Sequence, residues 1–201
     1  DCCDQFGVSL IGGDTTQSSQ LTITVTALGW IEHGQAIIRS GAQVGDYICV
    51  SGQVGDAAFG LKHPGHALQQ RLDYPTPRCN LGQQLKGLAS SMIDVSDGLA
   101  QDLGHILKAS NVGAKLQLDQ LPIDESLKKL EKQQAWHYAL AGGDDYELCF
   151  TISPQNFEKL LRQQLDVPLT IIGKITQQTG LSFVYMGENH PLAVQGYQHF
   201  A

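Results

Sequence analysis

The stretch that decides the fold joins a short apolar strand to a long helix, and it reads Ile93-Asp94-Val95-Ser96-Asp97-Gly98-Leu99. Residues 92–95 have the character of a short buried strand. Residues 97–110 predict the clearest helix of the chain, because their apolar side chains recur on one stripe. That stripe consists of Leu99, Leu103, Ile106 and Leu107. We expect Ser96 or Asp97 to cap the helix.

The same stretch also contains candidate ligand-binding residues. The start of a helix presents free backbone N–H groups and the positive end of the helix dipole, and both attract phosphate. Two carboxylates, Asp94 and Asp97, would repel an anion unless a cation lies between them and it. Mg²⁺ prefers oxygen ligands of this kind and also binds phosphate oxygens. The stretch therefore indicates a metal–phosphate site, with an ordinary capped turn as the open alternative.

A nucleophilic role for Ser96 is a weaker interpretation. A serine at a strand-to-helix turn is typical of hydrolases, but their pattern is Gly-x-Ser-x-Gly, whereas this chain has Asp-x-Ser-x-Gly. The neighbouring carboxylates would also oppose a developing oxyanion.

Two further segments combine glycine with aspartate: Gly12-Gly13-Asp14-Thr15-Thr16 and Gly142-Gly143-Asp144-Asp145. Glycine lets the backbone approach a ligand closely, and an aspartate can bind a metal or a cationic group. A tight turn is the alternative for the first segment. In the second, Asp144 is a candidate substrate acceptor, while Asp145 and Glu147 share a strand face that could be a solvated edge.

Arg39 follows a short predicted strand and is a candidate phosphate clamp, with a plain surface arginine as the alternative. The usual nucleotide cradles are missing from the sequence. It contains no Gly-x-x-x-x-Gly-Lys-Ser/Thr loop, no Gly-x-Gly-x-x-Gly and no protein-kinase signature.

The rest of the chain alternates strands and helices irregularly. Periodicity predicts strands over residues 21–28, 36–38, 47–50, 92–95, 114–118, 146–152, 169–175 and 181–185. It predicts helices over residues 56–63, 66–72, 80–89, 97–110, 126–140 and 154–165, with a break at an undefined place within 126–140. This order favours an α/β or α+β layered domain.

The amino-acid composition argues against several classes of protein. The net charge of −7 with scattered Lys and Arg argues against a nucleic-acid binder, and no apolar run reaches transmembrane length. Five cysteines without a Cys-x-x-Cys pair suit a reduced, cytoplasmic protein. Because the chain opens at Asp1 without methionine, we expect that an N-terminal part is missing.

Taken together and in order, the motifs resemble the thiamine-monophosphate kinases, a family of the aminoimidazole ribonucleotide synthetase-like superfamily. The matching segments are Ile11-Gly12-Gly13-Asp14-Thr15-Thr16, Arg39-Ser40-Gly41-Ala42, Gly45-Asp46, Ile93-Asp94-Val95-Ser96-Asp97-Gly98-Leu99, Asp102-Leu103-Gly104-His105-Ile106, Gly142-Gly143-Asp144-Asp145-Tyr146-Glu147-Leu148 and Gly196-Tyr197. They span the chain from residue 10 to its tail, and their order makes the match specific.

The resemblance implies ATP-dependent phosphorylation of thiamine monophosphate to thiamine diphosphate, with several Mg²⁺ ions. It implies the following roles: Gly13, Asp14, Arg39 and Ser96 in ATP binding, Asp14, Asp94 and Asp97 as metal ligands, Asp94 and Asp97 in catalysis, and Asp144 and Tyr197 in binding thiamine monophosphate. The implied mechanism is direct in-line transfer, which depends on positioning and electrostatics more than on a base.

The resemblance also implies a division of the chain. Residues 1–31 would be the last strands of an N-terminal ATP-binding and dimerisation domain, and residues 32–201 a C-terminal α/β domain. The full-length protein would be a homodimer without nucleic-acid or membrane partners. Gln17 departs from the family, which often has arginine there. A related enzyme with another acceptor and a non-catalytic nucleotide- or metal-binding fragment are the alternatives.

Overall fold

The computed structural model describes residues 2–194 of the chain. The chain separates into two units, Asp1–Ile31 and Glu32–Ala201. Each unit is described by itself below. None of the helices within residues 2–194 is long and apolar enough to cross a membrane.

The first unit contains one short helix, α1 at Cys2–Gln5. The predicted strand at residues 21–28 is wrong, because these residues form no strand and all of residues 7–31 are exposed. Apolar alternation alone does not make a strand, since the backbone N–H and C=O groups need a neighbouring strand as partner. The described part of this unit, residues 2–31, contains no such neighbour.

The second unit is built on one sheet of seven strands in the order β2-β4-β1-β5-β3-β6-β7. All neighbouring strands are antiparallel except β3 and β6, which are parallel. The strands are β1 Tyr47–Ser51, β2 Ala89–Asp94, β3 Gly113–Gln117, β4 Leu148–Ile152, β5 Leu169–Thr176, β6 Gly180–Tyr185 and β7 Glu188–Asn189. The predicted strand at residues 36–38 is wrong, although the Ile38 carbonyl accepts a hydrogen bond from the Met92 amide.

The helices of this unit lie where the periodicity predicts them, but most are shorter. They are α2 Asp56–Lys62, α3 Gln69–Asp73, α4 Cys79–Gln84, α5 Leu99–Ser110, α6 Glu125–Lys128, α7 Lys132–Ala141 and α8 Pro154–Leu160, with a 3₁₀ turn at Leu118–Gln120. The long helix α5 ends at Asn111, whose φ of 54° is the left-handed conformation typical of a helix C-terminus. The break predicted within residues 126–140 is confirmed, since this stretch forms two helices, α6 and α7.

Helices cover both faces of the sheet. One apolar cluster joins Ile48 and Val50 of β1 to side chains of α5 and α7, while Cys49 belongs to a second cluster with side chains of α4 and α8. Successive strand residues point to opposite faces, so β1 is buried on both sides. The predicted α/β layered fold is confirmed, and the turn between β2 and α5 follows the edge strand β2, which pairs with β4.

Candidate functional site

The turn between β2 and α5 is held by a residue inside the helix. The N-cap is Gly98, at a φ of 119°, and it makes no side-chain cap. Instead, Asp102 Oδ2 accepts the amides of Ser96, Asp97 and Gly98 at 3.0, 3.0 and 3.2 Å. The predicted cap by Ser96 or Asp97 is therefore wrong, because the buried Asp102 carboxylate reaches back and takes these donors.

Because Asp102 takes these three amides, the expectation that they are free to bind phosphate at this turn is wrong. Burial raises the pKa of Asp102, the amides of Asp97 and Ser96 lower it, and the charges of Asp97 and Asp94 raise it further. A signal for this role was present in the sequence, because an acidic residue in the first turn of a helix commonly interacts with the N-terminal amides. A phosphate near this turn must be held by other groups.

The segment Gly142 to Glu147, which we name the acidic loop, packs along this turn. The amide of Asp144 donates to the Ser96 carbonyl and that of Tyr146 to the Val95 carbonyl, both at 2.9 Å. The Val95 amide donates in return to the Glu147 carbonyl at 2.8 Å. The acidic loop thus continues the pairing of β2 with β4 beyond the ends of both strands.

Glycine is required where the acidic loop and the turn touch. A Cβ on Gly143 would lie 2.3 Å from the Ser96 carbonyl oxygen, and one on Gly98 would lie 3.0 Å from the Ala141 backbone. Both obstacles are backbone atoms, which cannot rotate away as the end of a side chain can. These glycines therefore allow the close contact of two backbone segments.

One exposed hydroxyl, that of Tyr146, is bound by a predicted site carboxylate and feels the charge of two others. Tyr146 donates its phenol hydroxyl to Asp144 Oδ1 at 3.1 Å, and both residues are exposed. Partial burial, together with the hydrogen bond and charge of Asp144, raises the pKa of Tyr146, and the charges of Asp94 and Asp97 add to this rise. The hydroxyl therefore remains a protonated donor at neutral pH.

The two other acidic residues of the loop are buried, so the interpretation of Asp145 and Glu147 as a solvated edge is wrong. Asp145 accepts the amides of Gly55 and Ala57, at the start of α2, at 2.7 and 3.2 Å. Burial raises the pKa of Asp145 to about 7, although both amides lower it.

Glu147 has no exposed side-chain surface and binds two arginines. Arg71 Nη2 donates to Oε1 at 2.7 Å, Arg78 Nε donates to Oε2 at 2.7 Å, and Ser51 Oγ donates to Oε2 at 2.5 Å. The hydrogen bond to Glu147 raises the pKa of Arg78. Sequence reasoning missed these partners because no local pattern links residues separated by 69 to 96 positions.

Arg39 and Asp94 line one open groove of about 620 Å³ beside the turn. Its floor includes the apolar side chains of Met92 and Leu148, and Ile38 is also part of its wall. The structure thus places a cation and a carboxylate on the same largely apolar groove, which is the usual character of a small-molecule site.

The other predicted site residues are Gly13, Asp14, Ser96 and Tyr197. Gly13 and Asp14 lie in the first unit, in an exposed segment without regular structure. Ser96 is half-buried at the turn. Tyr197 lies outside the described residues.

Asp94 and Asp97 suit Mg²⁺ in the manner of nucleotide sites, where one or two carboxylates act together with substrate phosphates and water. Within residues 2–194 no three His, Cys, Asp or Glu side chains are grouped so that they could hold a metal ion by themselves. These two donors therefore fit an ion that arrives with a phosphate better than a permanent all-protein metal site.

Comparison with known proteins shows which proteins this chain is similar to. Thiamine-monophosphate kinase of Haemophilus influenzae is 45% identical over 98% of this chain and 65% of its own length. A solved structure of thiamine-monophosphate kinase from Stenotrophomonas maltophilia is 42% identical with a TM-score of 0.71, and covers 80% of this chain and 56% of that chain. A second, described as AaThiL complexed with AMPPCP and TMP, is 29% identical with a TM-score of 0.66 over 82% of this chain and 54% of that one.

The chain therefore spans about two-thirds of the curated relative's length, 65% for the Haemophilus influenzae protein. The model of the family "AIR synthase related protein, C-terminal domain" matches residues 34–186, which confirms the superfamily that the motifs indicated. On this match, the chain belongs to the AIR synthase related protein family.

Proposed function

We propose that this chain forms part of an enzyme that uses ATP to phosphorylate thiamine monophosphate to thiamine diphosphate. The observation that carries the proposal is the groove that Arg39 and Asp94 line together, beside the acidic loop in which Asp144 accepts the Tyr146 hydroxyl. Relatives named thiamine-monophosphate kinase and a solved relative with AMPPCP and TMP support the same assignment.

One group of residues binds ATP and its metal ion, and another binds the phosphoryl acceptor. Arg39 and Ser96, with Gly13 and Asp14 of the first unit, bind ATP. Mg²⁺, when bound, neutralises charge on the phosphates, and Asp94 and Asp97 are the residues of the second unit that hold it, with Asp14 as a further ligand.

Asp144 binds the phosphoryl acceptor, thiamine monophosphate. Its exposed carboxylate suits the positive charge of a thiazolium ring, and the Tyr146 hydroxyl fixes the orientation of that carboxylate. Tyr197 supplies an aromatic face to the same ligand. The described site offers positioning and electrostatics, which suffice for direct in-line transfer.

The assembly and location belong to the same proposal. The full-length protein is a cytoplasmic homodimer that acts on small phosphorylated substrates. The cysteines Cys49 and Cys149 are free thiols rather than a disulfide, which suits a reducing location.

The test uses the protein expressed with any residues that precede Asp1 in its gene. Incubation with Mg²⁺-ATP and thiamine monophosphate should yield thiamine diphosphate, detected by chromatography. The double variant Asp94→Asn and Asp97→Asn should abolish turnover with an unchanged circular dichroism spectrum. The exposed Asp119→Asn is the matched control and should keep full activity.

Two results would reject parts of the proposal. Activity that survives the double replacement would rule out the metal assignment. Calorimetry that detects Mg²⁺-dependent ATP binding without any thiamine diphosphate formed would favour a non-catalytic module or another acceptor.

A further inference from the structure

The acidic loop alternates between exposed and buried carboxylates. Asp144 and Tyr146 are exposed, whereas Asp145 and Glu147 are 2% and 0% exposed. The exposed pair binds the turn between β2 and α5 through its backbone amides, and the buried pair binds groups on other elements. One short segment thus carries two sets of residues with different surroundings.

The exposed pair has an unfavourable backbone conformation. Asp144 and Tyr146 have φ values of 64° and 50°, in the left-handed region that residues with a Cβ rarely occupy. Such a conformation persists only where the surrounding structure imposes it, and it is common at ligand sites.

The buried pair supplies that constraint on both sides of Tyr146. Asp145 is fixed to the start of α2 by the amides of Gly55 and Ala57. Glu147 is fixed by Arg71, by Arg78 and by the Ser51 hydroxyl at the end of β1. Arg71 Nη2 also lies 3.4 Å from the Asp145 carbonyl oxygen, so it contacts both anchors.

A role in stability alone does not explain why the carboxylates of Asp145 and Glu147 are buried at these positions. Burying carboxylates is costly, and a buried ion pair is seldom worth more than apolar packing of the same size. Here both buried carboxylates alternate with the two residues that face the site. Their shared effect is to restrict the path of the loop between residues 144 and 147.

We propose that Asp145 and Glu147 are positioning residues that hold the Asp144 carboxylate and the Tyr146 hydroxyl in place for the phosphoryl acceptor. They touch no reacting atom and act through the backbone of the loop. The part of this inference that concerns the acceptor rests on the proposed function.

The experiment compares Asp145→Asn with Asp46→Asn in the intact protein. Both aspartates are buried, and Asp46 likewise accepts a backbone amide and a second donor, namely Gln43 N and Ser90 Oγ. Ser51→Ala is the milder variant should Asp145→Asn fail to fold, because it removes one hydrogen bond from Glu147 and keeps every charge.

Amide hydrogen exchange provides a readout that needs no activity. We expect the protection of the Asp144 and Tyr146 amides to fall at least tenfold in Asp145→Asn, with a smaller fall in Ser51→Ala. Asp46→Asn should leave these two amides unchanged even where it lowers the melting temperature.

Steady-state kinetics provides the second readout. We expect the KM for thiamine monophosphate to rise about tenfold in Asp145→Asn and about threefold in Ser51→Ala, with the KM for ATP within twofold of the wild type. If exchange and both KM values match those of Asp46→Asn, the two carboxylates serve stability only. Faster exchange with an unchanged KM in an active enzyme would also overturn the inference.

The two proposals can fail separately. A wild-type protein that makes no thiamine diphosphate refutes the proposed function, while the exchange of the Asp144 and Tyr146 amides still decides whether Asp145 holds the loop.

Discussion

Gly143→Ala tests the close contact between the acidic loop and the β2–α5 turn. The added Cβ would lie 2.3 Å from the Ser96 carbonyl oxygen, and real Cβ contacts are essentially never shorter than 3.0 Å. The loop must therefore move away from the turn. This movement lengthens the hydrogen bond from the Asp144 amide to that same oxygen, which measures 2.9 Å.

The expected loss of stability follows from these two effects. Overpacking of this kind costs about 1–3 kcal/mol. A weakened backbone hydrogen bond adds about 1 kcal/mol. The sum of about 2–4 kcal/mol corresponds to a melting temperature lower by roughly 5–15 °C for a chain of this size.

The assay is thermal and urea unfolding, with Gly104→Ala as the matched control. Gly104 lies inside α5, and a Cβ added there meets nothing within 4 Å. Alanine is the better helix former, so this variant should gain about 0.5–1 kcal/mol. The reasoning is refuted if Gly143→Ala melts within 1 °C of the wild type, or if both variants shift in the same direction.

Two further predictions concern buried carboxylates. Asp102→Ala leaves three amides without their acceptor and should cost about 3 kcal/mol in urea unfolding, whereas the exposed Asp119→Ala should change little. Burial raises the pKa of Asp145 from 3.8 to about 7, so between these values the folded state binds a proton that the unfolded chain has released. The free energy of unfolding should therefore fall as pH rises from about 4 to 7. Asp145→Asn should make the melting temperature depend less on pH over this range. Equal slopes of melting temperature against pH in the variant and the wild type would contradict the raised pKa of Asp145.

Local sequence predicted those elements whose stability depends on near neighbours. The apolar stripe of α5 places the helix within two residues of its observed start, and the Ser153-Pro154 pair marks the start of α8. The central strands β1 and β4 were also predicted, β4 from the alternation of residues over 146–152. The strand predicted at residues 21–28 failed because pairing with another strand is not a local property.

In the candidate site, too, local sequence predicted some residues and missed others. Glycine and aspartate spacing identified Asp94, Asp97 and Asp144, and the structure pairs the acidic loop that carries Asp144 with the backbone of Val95 and Ser96. The assigned roles of Arg39, Ser96, Asp14, Gly13 and Tyr197 stay predictions. Neither Tyr146 nor Asp102 was singled out from the sequence, because the contacts of each depend on how the loop and the turn pack.

The sequence by itself determined the family, the α/β layering and the three acidic segments, since each depends on residue types at short spacing. Only the tertiary structure decided which carboxylates face the site and which are buried. Asp145 and Glu147 alternate with exposed neighbours as edge residues would, yet their partners Gly55, Arg71 and Arg78 lie 69 to 90 residues away. Charge and spacing along the chain cannot reveal such partners, because folding alone brings them within hydrogen-bonding distance.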